Sequence, residues 1–170
     1  VLDVIEKERG YQTVKPFTNP KSFSSFLKYD CIRLCREEPD WKNAVRLSAE
    51  PLLKRGFIEE CYVENMIGFI GEQGFYAVSD DSFALLHGKG VEGIHQTSLS
   101  LLITETPVHF GEKKVRVIFC LASKDSKEHI PAVVTLMRMV KTTGLIRELE
   151  ASRTEEEAYQ SVLNCEFEVL

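Results

Sequence analysis

The 170-residue sequence predicts an α/β fold in three layers, with a mixed, mostly parallel sheet flanked by helices on both faces. Apolar residues at helical spacing come first, over about residues 40–70. Two continuous apolar runs follow at 98–104 and 115–122, and such runs are typical of central strands that are covered on both faces. Helical patterns return after the second run, so strands alternate with helices as a layered α/β fold requires.

The first residues differ from the rest, and we expect 1–25 to form an N-terminal arm or linker before a single domain at 26–170. The apolar spacing within 1–9 is helical. Gly10 and the prolines of 16–20 then interrupt regular structure, because proline lacks a backbone N–H and disfavours helix before it. An arm with a role and a loosely packed extension without one both fit this pattern.

Two helices open the domain, after short strand-like or turn-like segments at 26–29 and 32–34. The first helix begins after Asp40, a good N-cap, and ends at Gly56, with Pro51 expected to kink or interrupt it late. Its apolar positions are Trp41, Ala44, Val45 and Ala49. The second helix follows at once, and its predicted buried stripe consists of Tyr62, Val63, Met66, Ile67 and Ile70.

Strands and helices alternate in the second half. The four strand-like segments are 75–78, 83–86, 98–104 and 115–122. A turn is expected at 107–111, between the last two. The three predicted helices that complete the chain are 126–140, 145–149 and 155–163. The residues of the first that are expected to face the core are Ile130, Val133, Val134, Met137 and Val140. Thr154 is the expected N-cap of the last.

Composition excludes several function classes. A net charge of −5 without a Lys/Arg cluster argues against direct nucleic-acid contact, and no apolar run is long enough for membrane insertion. The five cysteines lack disulfide or metal-ligand spacing, so we expect reduced thiols in a cytoplasmic protein that needs no metal or other cofactor. Phosphate-binding glycine loops are absent, so any phosphoryl group has to arrive already attached to another protein.

One histidine stands out. The apolar run at 83–86 leads directly to His87 and the glycine-rich residues after it. A strand would fix the position of the imidazole, and the glycines would leave room for a partner or an anion. Taken alone, however, this pattern is more typical of a loop histidine with a structural hydrogen bond.

An ordered set of motifs favours a functional interpretation of His87 over a structural one. The segments are 40–46, 49–53, 62–67, 84–87, 91–93, 107–111 and 120–125, continuing to His129. Over about residues 26–163 they resemble, in the same order, the enzyme IIA domains of the bacterial phosphoenolpyruvate-dependent sugar phosphotransferase system (PTS). The resemblance is to the mannitol/fructose class of these domains, and within it to the ascorbate-type branch.

The resemblance implies a function and two site residues. In the family, a histidine that closes a strand accepts a phosphoryl group from the histidine-containing phosphocarrier protein and passes it to a cysteine of an enzyme IIB domain. His87 matches this histidine. A second active-site histidine matches His129 at the start of the next helix, whose positive end favours a dianion, and we expect it to stabilise the phosphoryl group. Neither metal nor general base is needed, because an imidazole nitrogen already carries a lone pair.

Two positions depart from the family pattern. Leu86 stands where the family usually has proline, which makes the backbone before His87 less rigid. The region 71–73, where the mannitol branch carries an arginine, holds no cation. These departures and the N-terminal extension favour an alternative, in which the chain is the C-terminal domain of an antiterminator-type transcription regulator. Such a domain would be fused to upstream regulatory domains and phosphorylated on the same histidine. A third interpretation is an unrelated α/β binding module.

The other two histidines have structural interpretations. His95 falls in the loop beyond His87, where a solvated side chain is more typical than a phosphate contact. His109 falls in the predicted turn at 107–111, which the family uses structurally, so we assign it no chemistry.

Overall fold

The computed structural model describes residues 4–8, 11–14, 22–79 and 82–170. In chain order the elements are β1 (Val4–Glu8), β2 (Tyr11–Val14), α1 (Phe23–Phe26), β3 (Leu27–Cys35), α2 (Trp41–Lys54), α3 (Glu60–Glu72), β4 (Val78–Ser79), β5 (Phe83–Leu86), β6 (Ser98–Phe110), β7 (Lys113–Ala122), α4 (Ile130–Thr142), α5 (Leu145–Ala151) and α6 (Glu155–Val169). Among these helices, none is both long enough and apolar enough to cross a membrane.

Five of the described strands form the central sheet, in the order β3-β6-β7-β5-β4. The pairs β3–β6 and β5–β7 are parallel, whereas β6–β7 and β4–β5 are antiparallel. The two continuous apolar runs lie in β6 and β7, which both have a neighbouring strand on each side, as predicted. The α/β class with a mixed sheet is therefore confirmed.

Helices cover both faces of this sheet. Successive residues of a strand point to opposite faces. In β7 the ring of Phe119 packs on Phe23 of α1, whereas the Cys120 thiol lies 3.7 Å from the Met66 sulfur of α3. Helix α2 packs beside α3 and over β6, and α1, α4, α5 and α6 pack together on the other side. The predicted three layers are confirmed.

The first two helices begin and end as their sequences indicate. The Asp40 carboxylate accepts the Asn43 N–H at 2.8 Å and caps α2, and Gly56 ends the turn after the helix with a φ of +71°. Pro51 does not interrupt α2, which continues to Lys54, because a proline in the last turn removes only one backbone bond. The buried residues of α3 are the predicted Tyr62, Val63, Met66, Ile67 and Ile70.

Three predictions in the second half are wrong in detail. Of the segment 75–78, which was predicted as a strand, only Val78 lies in β4, and residues 75–77 form a turn. Strand β6 continues to Phe110 through the expected turn at 107–111, and the chain reverses only at Gly111. A shift of register between Ile103 and Val108 lets the strand accommodate its proline.

Helix α4 begins at Ile130, four residues later than predicted. The residues that it buries are Ala132, Leu136 and Met139, whereas Val133, Met137 and Val140 are partly buried against the core. Ile130 and Val134 are 48% and 51% exposed, so the predicted core face is wrong for these two residues. The helix carries more apolar residues than one face can bury, and small Ala132 rather than Ile130 meets the core.

The N-terminal residues differ from the helical pattern predicted for 1–9. Residues 4–8 form strand β1, which pairs antiparallel with β2, because a helical pattern of nine residues is too short to be stable on its own. Residues 1–3, 9–10 and 15–21 lie outside the described part of the chain. The division into an arm at 1–25 and a domain at 26–170 stays a prediction.

A buried carboxyl joins the two ends of the described domain. Glu166 of α6 has no exposed surface, and its Oε2 accepts the Ser24 backbone N–H at the start of α1, at 3.0 Å. Its Oε1 has no hydrogen-bond partner within the described residues. Burial raises the pKa of this carboxyl from 4.5 to about 7, because desolvation of the charge outweighs the bonds from α1.

We expect Glu166→Gln, which keeps an acceptor oxygen but removes the charge, to be more stable than the wild type at pH 8 by about 2–3 kcal/mol. Because the native pKa is raised, the contribution of Glu166 to the free energy of unfolding is complete below pH 4.5 and is lost as the pH rises through about 7. Urea unfolding at pH 5 and pH 8 measures the difference in the free energy of unfolding between the variant and the wild type. This difference should be much smaller at pH 5 than at pH 8. The exposed Glu168→Gln in the same helix is the control, and a gap of equal size at both pH values would contradict the prediction.

Candidate active site

The end of β5 places His87 at one edge of the sheet. Phe83, Ala84 and Leu86 are buried, and the parallel pairing with β7 sets Leu86 opposite Cys120. His87 is the next residue and is exposed. Since β5 and β7 are parallel, their carboxyl ends meet at the same edge, so the loop after β7 lies beside His87.

The contacts of the His87 ring fix its tautomer. Nδ1 lies 3.2 Å from the Leu85 carbonyl oxygen, which can only accept a hydrogen bond, so Nδ1 carries the proton. Nε2 then holds the free lone pair of the ring. The Phe69 ring of α3 packs against the imidazole, with ring centroids 5.9 Å apart. The imidazole is thus oriented by a backbone carbonyl on one element and an aromatic ring on another.

Helix α3 also holds the two residues after His87. The Tyr62 hydroxyl accepts the Gly88 N–H at 2.9 Å and donates to the Leu121 carbonyl at 2.8 Å. The Asn65 side chain accepts the Lys89 N–H at 2.9 Å and donates to the Lys89 carbonyl at 2.8 Å. Tyr62 and Asn65 lie one turn apart on the same face of the helix, and we call this pair the Tyr62–Asn65 clamp. Burial raises the pKa of the Tyr62 hydroxyl, which therefore stays protonated and able to donate.

His129 lies directly before α4 and is partly buried. Its Nδ1 is 2.7 Å from the Ser123 hydroxyl, which is 2.5 Å from the Asp125 carbonyl oxygen. A hydroxyl has one proton and a carbonyl only accepts, so both contacts are hydrogen bonds when Ser123 donates to Asp125 and His129 Nδ1–H donates to Ser123. With Nδ1 protonated, the ring donates through Nε2 only as the imidazolium.

The Asp125 carboxylate lies in the loop directly before His129. Its Oδ1 accepts the backbone N–H groups of Glu128 at 2.6 Å and Lys127 at 2.7 Å, which close a tight turn before α4. These two bonds hold the pKa of Asp125 below its usual range, and the attraction of His129 lowers it further.

The two predicted site residues line one cavity of about 240 Å³, together with Tyr62, Ser123 and Asp125. The structure therefore brings His87 and His129 together. His95 does not line this cavity, and its Nε2 pairs on the surface with Glu59 at 3.1 Å. His109 is exposed on β6.

One exposed apolar side chain lines the cavity, and two more lie on the helix that follows His129. Val91 lines it and is 53% exposed, Ile130 follows His129 directly, and Val134 lies one turn further along α4. Large apolar side chains left exposed around a polar centre are typical of a surface that docks another protein. We call Val91, Ile130 and Val134 the apolar rim.

A larger cavity of about 700 Å³ lies elsewhere, where β3 ends beside β6. Three arginines line it, and one of them, Arg116, donates to the Thr104 carbonyl at 2.8 Å and pairs with Glu150 at 3.5 Å, so that charge is compensated within the chain. None of the described residues that line it is a histidine. The smaller cavity is therefore the candidate active site.

The described residues contain no group of three or more His, Cys, Asp or Glu side chains that could hold a metal ion. All five cysteines are free thiols, and of these Cys61 is exposed and the others are buried.

Sequence analysis missed several residues of the site. Tyr62 was predicted only as a core residue, and Asn65, Phe69, Ser123 and Asp125 were given no role. A possible signal existed for the helix: Asn65 is a polar residue one turn after Tyr62, at the edge of an apolar stripe. For Ser123 the only signal is its place directly after a buried strand, at the carboxyl edge where site residues gather.

We expect Gly88→Ala to distort the loop after His87 and to lower the free energy of unfolding by about 1–3 kcal/mol. An added Cβ would lie 2.8 Å from Asn65 Oδ1 and 2.9 Å from Tyr62 Cε1, both in side chains that are already bonded to the loop. The control is Gly68→Ala in α3, where an added Cβ meets nothing within 4 Å. Urea unfolding of both variants measures their free energies of unfolding. A Gly88→Ala variant as stable as the wild type would show that the loop accommodates the added Cβ and would contradict the prediction.

Comparison with known proteins agrees with this geometry. The family model described as phosphoenolpyruvate-dependent sugar phosphotransferase system, EIIA 2, matches residues 25–165. The ascorbate-specific PTS system EIIA component of Mycoplasma pneumoniae is 24% identical over 131 residues, which cover 75% of this chain and 82% of that protein.

Two solved structures share the fold. A provisionally named PTS IIA domain from Streptococcus pyogenes M1 GAS is 25% identical, with a TM-score of 0.74 over 81% of this chain and 90% of that one. Enzyme IIA of the Escherichia coli mannitol system, solved in complex with its phosphorylated enzyme IIB, is 22% identical, with a TM-score of 0.69 over 84% and 99%. The family match spans most of the chain, and the protein is therefore a phosphoryl-carrier EIIA domain that belongs to the EIIA 2 family of the phosphoenolpyruvate-dependent sugar phosphotransferase system.

Proposed function

We propose that His87 is the residue that carries the phosphoryl group. It would accept the group from the histidine-containing phosphocarrier protein and pass it to a cysteine of an enzyme IIB domain. The observation that carries this proposal is the free Nε2 lone pair of His87 in a cavity shared with His129. The phosphoryl-accepting domain would comprise residues 26–170, with 1–25 as an arm.

The first transfer exchanges one N–P bond for another. The Nε2 lone pair of His87 attacks phosphorus, the N–P bond to the phosphocarrier's histidine breaks, and that imidazole leaves with the bonding electron pair. No proton has to leave Nε2, so the step needs no general base. The Nδ1–H of His87 keeps its bond to the Leu85 carbonyl, which stabilises the positive charge that the ring gains.

His129 would stabilise the phosphoryl oxygens during transfer. With Nδ1 donating to Ser123, the imidazolium form of His129 would offer a charged N–H donor through Nε2. The start of α4 supplies fewer backbone donors than a free helix end, because Pro131 has no N–H and the Ile130 N–H is bonded to the Lys127 carbonyl. The imidazole, rather than the backbone, would therefore carry this role, with the helix dipole adding to it.

The second transfer would pass the phosphoryl group to a thiolate. Sulfur of the enzyme IIB cysteine attacks phosphorus, the P–Nε2 bond breaks, and His87 recovers its lone pair. The apolar rim around the cavity suits a protein acceptor rather than a free sugar. The Escherichia coli mannitol neighbour is itself bound to a phosphorylated enzyme IIB, which supports the same class of partner here.

The proposal extends to the cellular compartment of the domain and to its role in transport. Five free thiols are typical of a reducing compartment, so we place the domain in the cytoplasm. The ascorbate-type and mannitol-type relatives support a role in transport, and they give no support to the alternative of a transcription-regulator domain.

We expect incubation with phosphoenolpyruvate, enzyme I and the phosphocarrier to add one phosphoryl group to the wild type and none to His87→Ala. Intact mass spectrometry at neutral pH measures this, since phosphohistidine is lost in acid. Onward transfer is tested by adding an enzyme IIB of the ascorbate or mannitol type and following loss of the label. A wild type that stays unmodified, or a His87→Ala variant that gains the group, would refute the proposal.

We expect His129→Gln to stay folded and to slow phosphorylation of His87 by about 10- to 100-fold, as loss of one charged donor in a transition state typically does. The matched control is His95→Gln, which removes an exposed histidine outside the cavity and should leave the rate unchanged. Quench-flow measurement with labelled phosphocarrier gives both rates. An unchanged rate in His129→Gln would remove its role.

A further inference from the structure

The parallel hydrogen-bond ladder between β5 and β7 ends at the active site without the backbone bond that would come next. Its last pair is Leu86 with Cys120. Leu85 donates its N–H to Ala77, on the side of β4, so the N–H groups of Leu86 and Gly88 point toward β7. If the ladder continued by one step, the Gly88 N–H would therefore donate directly to the Leu121 carbonyl.

The Tyr62 hydroxyl occupies the place of that bond. It accepts the Gly88 N–H at 2.9 Å and donates to the Leu121 carbonyl at 2.8 Å, so both backbone groups stay satisfied without meeting. One direct hydrogen bond is replaced by two in series. The backbones of the two strands are consequently held further apart here than the spacing of about 4.8 Å in a regular sheet.

The separation coincides with the cavity. Tyr62, Gly88 and Leu121 all line the space that holds His87 and His129. His87 belongs to the β5 side of the gap, whereas His129 belongs to the loop that continues from β7. The inserted hydroxyl therefore controls the distance between the two histidines, which must bracket one phosphoryl group.

The surrounding residues are shaped for this insertion. The Tyr62 side chain is only 2% exposed, so packing in the core fixes its reach. Gly88 has no Cβ, which would otherwise lie 2.9 Å from the Tyr62 ring. Asn65 adds two bonds to the backbone of Lys89 and prevents the loop from turning away. No contact of the clamp reaches the His87 ring itself, so its action on the imidazole is through the loop.

We propose that the Tyr62–Asn65 clamp is a positioning device for phosphoryl transfer, in which the Tyr62 hydroxyl spreads β5 from β7 and sets the separation of His87 from His129. The inference rests on the proposed function of His87. Because the clamp acts on geometry rather than on partner binding, it affects the maximal rate constant of transfer and leaves the half-saturating concentration of phosphocarrier nearly unchanged.

The test is Tyr62→Phe, which removes the hydroxyl and keeps the ring. We expect the maximal rate constant for phosphorylation by the phosphocarrier to fall about tenfold or more, with a change in half-saturating concentration of less than about twofold. The Gly88 amide and His87 imidazole NMR signals should shift as well. The control is Tyr76→Phe, since Tyr76 is 83% exposed, and it should match the wild type in every measurement.

The outcomes separate the two proposals. If the wild type gains no phosphoryl group, the proposed function fails first. If the wild type is phosphorylated on His87 and folded Tyr62→Phe has the same rate constant, the clamp is refuted. Should Tyr62→Phe not fold, Asn65→Ala decides, because its side chain is only partly buried and its bonds are to the loop backbone. A reduced rate constant in Asn65→Ala supports the clamp, and an unchanged one overturns it.

Discussion

The parallel pairing of β5 with β7 is the constraint on which the rest of the site depends. It is short, since β5 has four residues, but it sets a buried strand against the centre of the sheet and ends at Leu86 opposite Cys120. The carboxyl ends of both strands therefore open at one edge, where His87 leaves β5 and the turn before His129 leaves β7. Two histidines that are 42 positions apart in sequence reach one cavity for this reason.

The two imidazoles have different hydrogen-bond partners. His87 donates Nδ1–H to a neutral carbonyl, which leaves Nε2 as a bare lone pair suited to attack phosphorus. His129 instead meets a hydroxyl whose only proton is committed to the Asp125 carbonyl, and a carboxylate stands beside it. In the proposed mechanism the same side chain acts as a nucleophile in one place and as a hydrogen-bond donor in the other, and in both places the partner of Nδ1 leaves Nε2 for that role.

The spacing of apolar residues in the sequence predicted much of the fold but less of the site. The buried stripe of α3 and the bounds of β5 followed from apolar spacing, since one face of each meets the core. The core face of α4 did not, because its apolar residues exceed what one face buries, and the surplus Ile130 and Val134 point outward beside the site. The Tyr62 hydroxyl could not be predicted either, because spacing locates a ring in the core but does not show which backbone groups its oxygen bridges.

Tertiary contacts compensate for Leu86, which stands where the family usually has proline. A proline before the histidine would restrict the backbone from within the chain. Here Leu86 is fully buried and anchors the strand through its side chain, while the residues after His87 are restrained from outside by two side chains of α3. The region 71–73 lacks a cation, yet Phe69 of the same helix packs on the His87 ring. The rigidity that a proline ring would give the backbone locally comes here from tertiary contacts. The order of the loop after His87 therefore depends on the packing of α3 against the sheet.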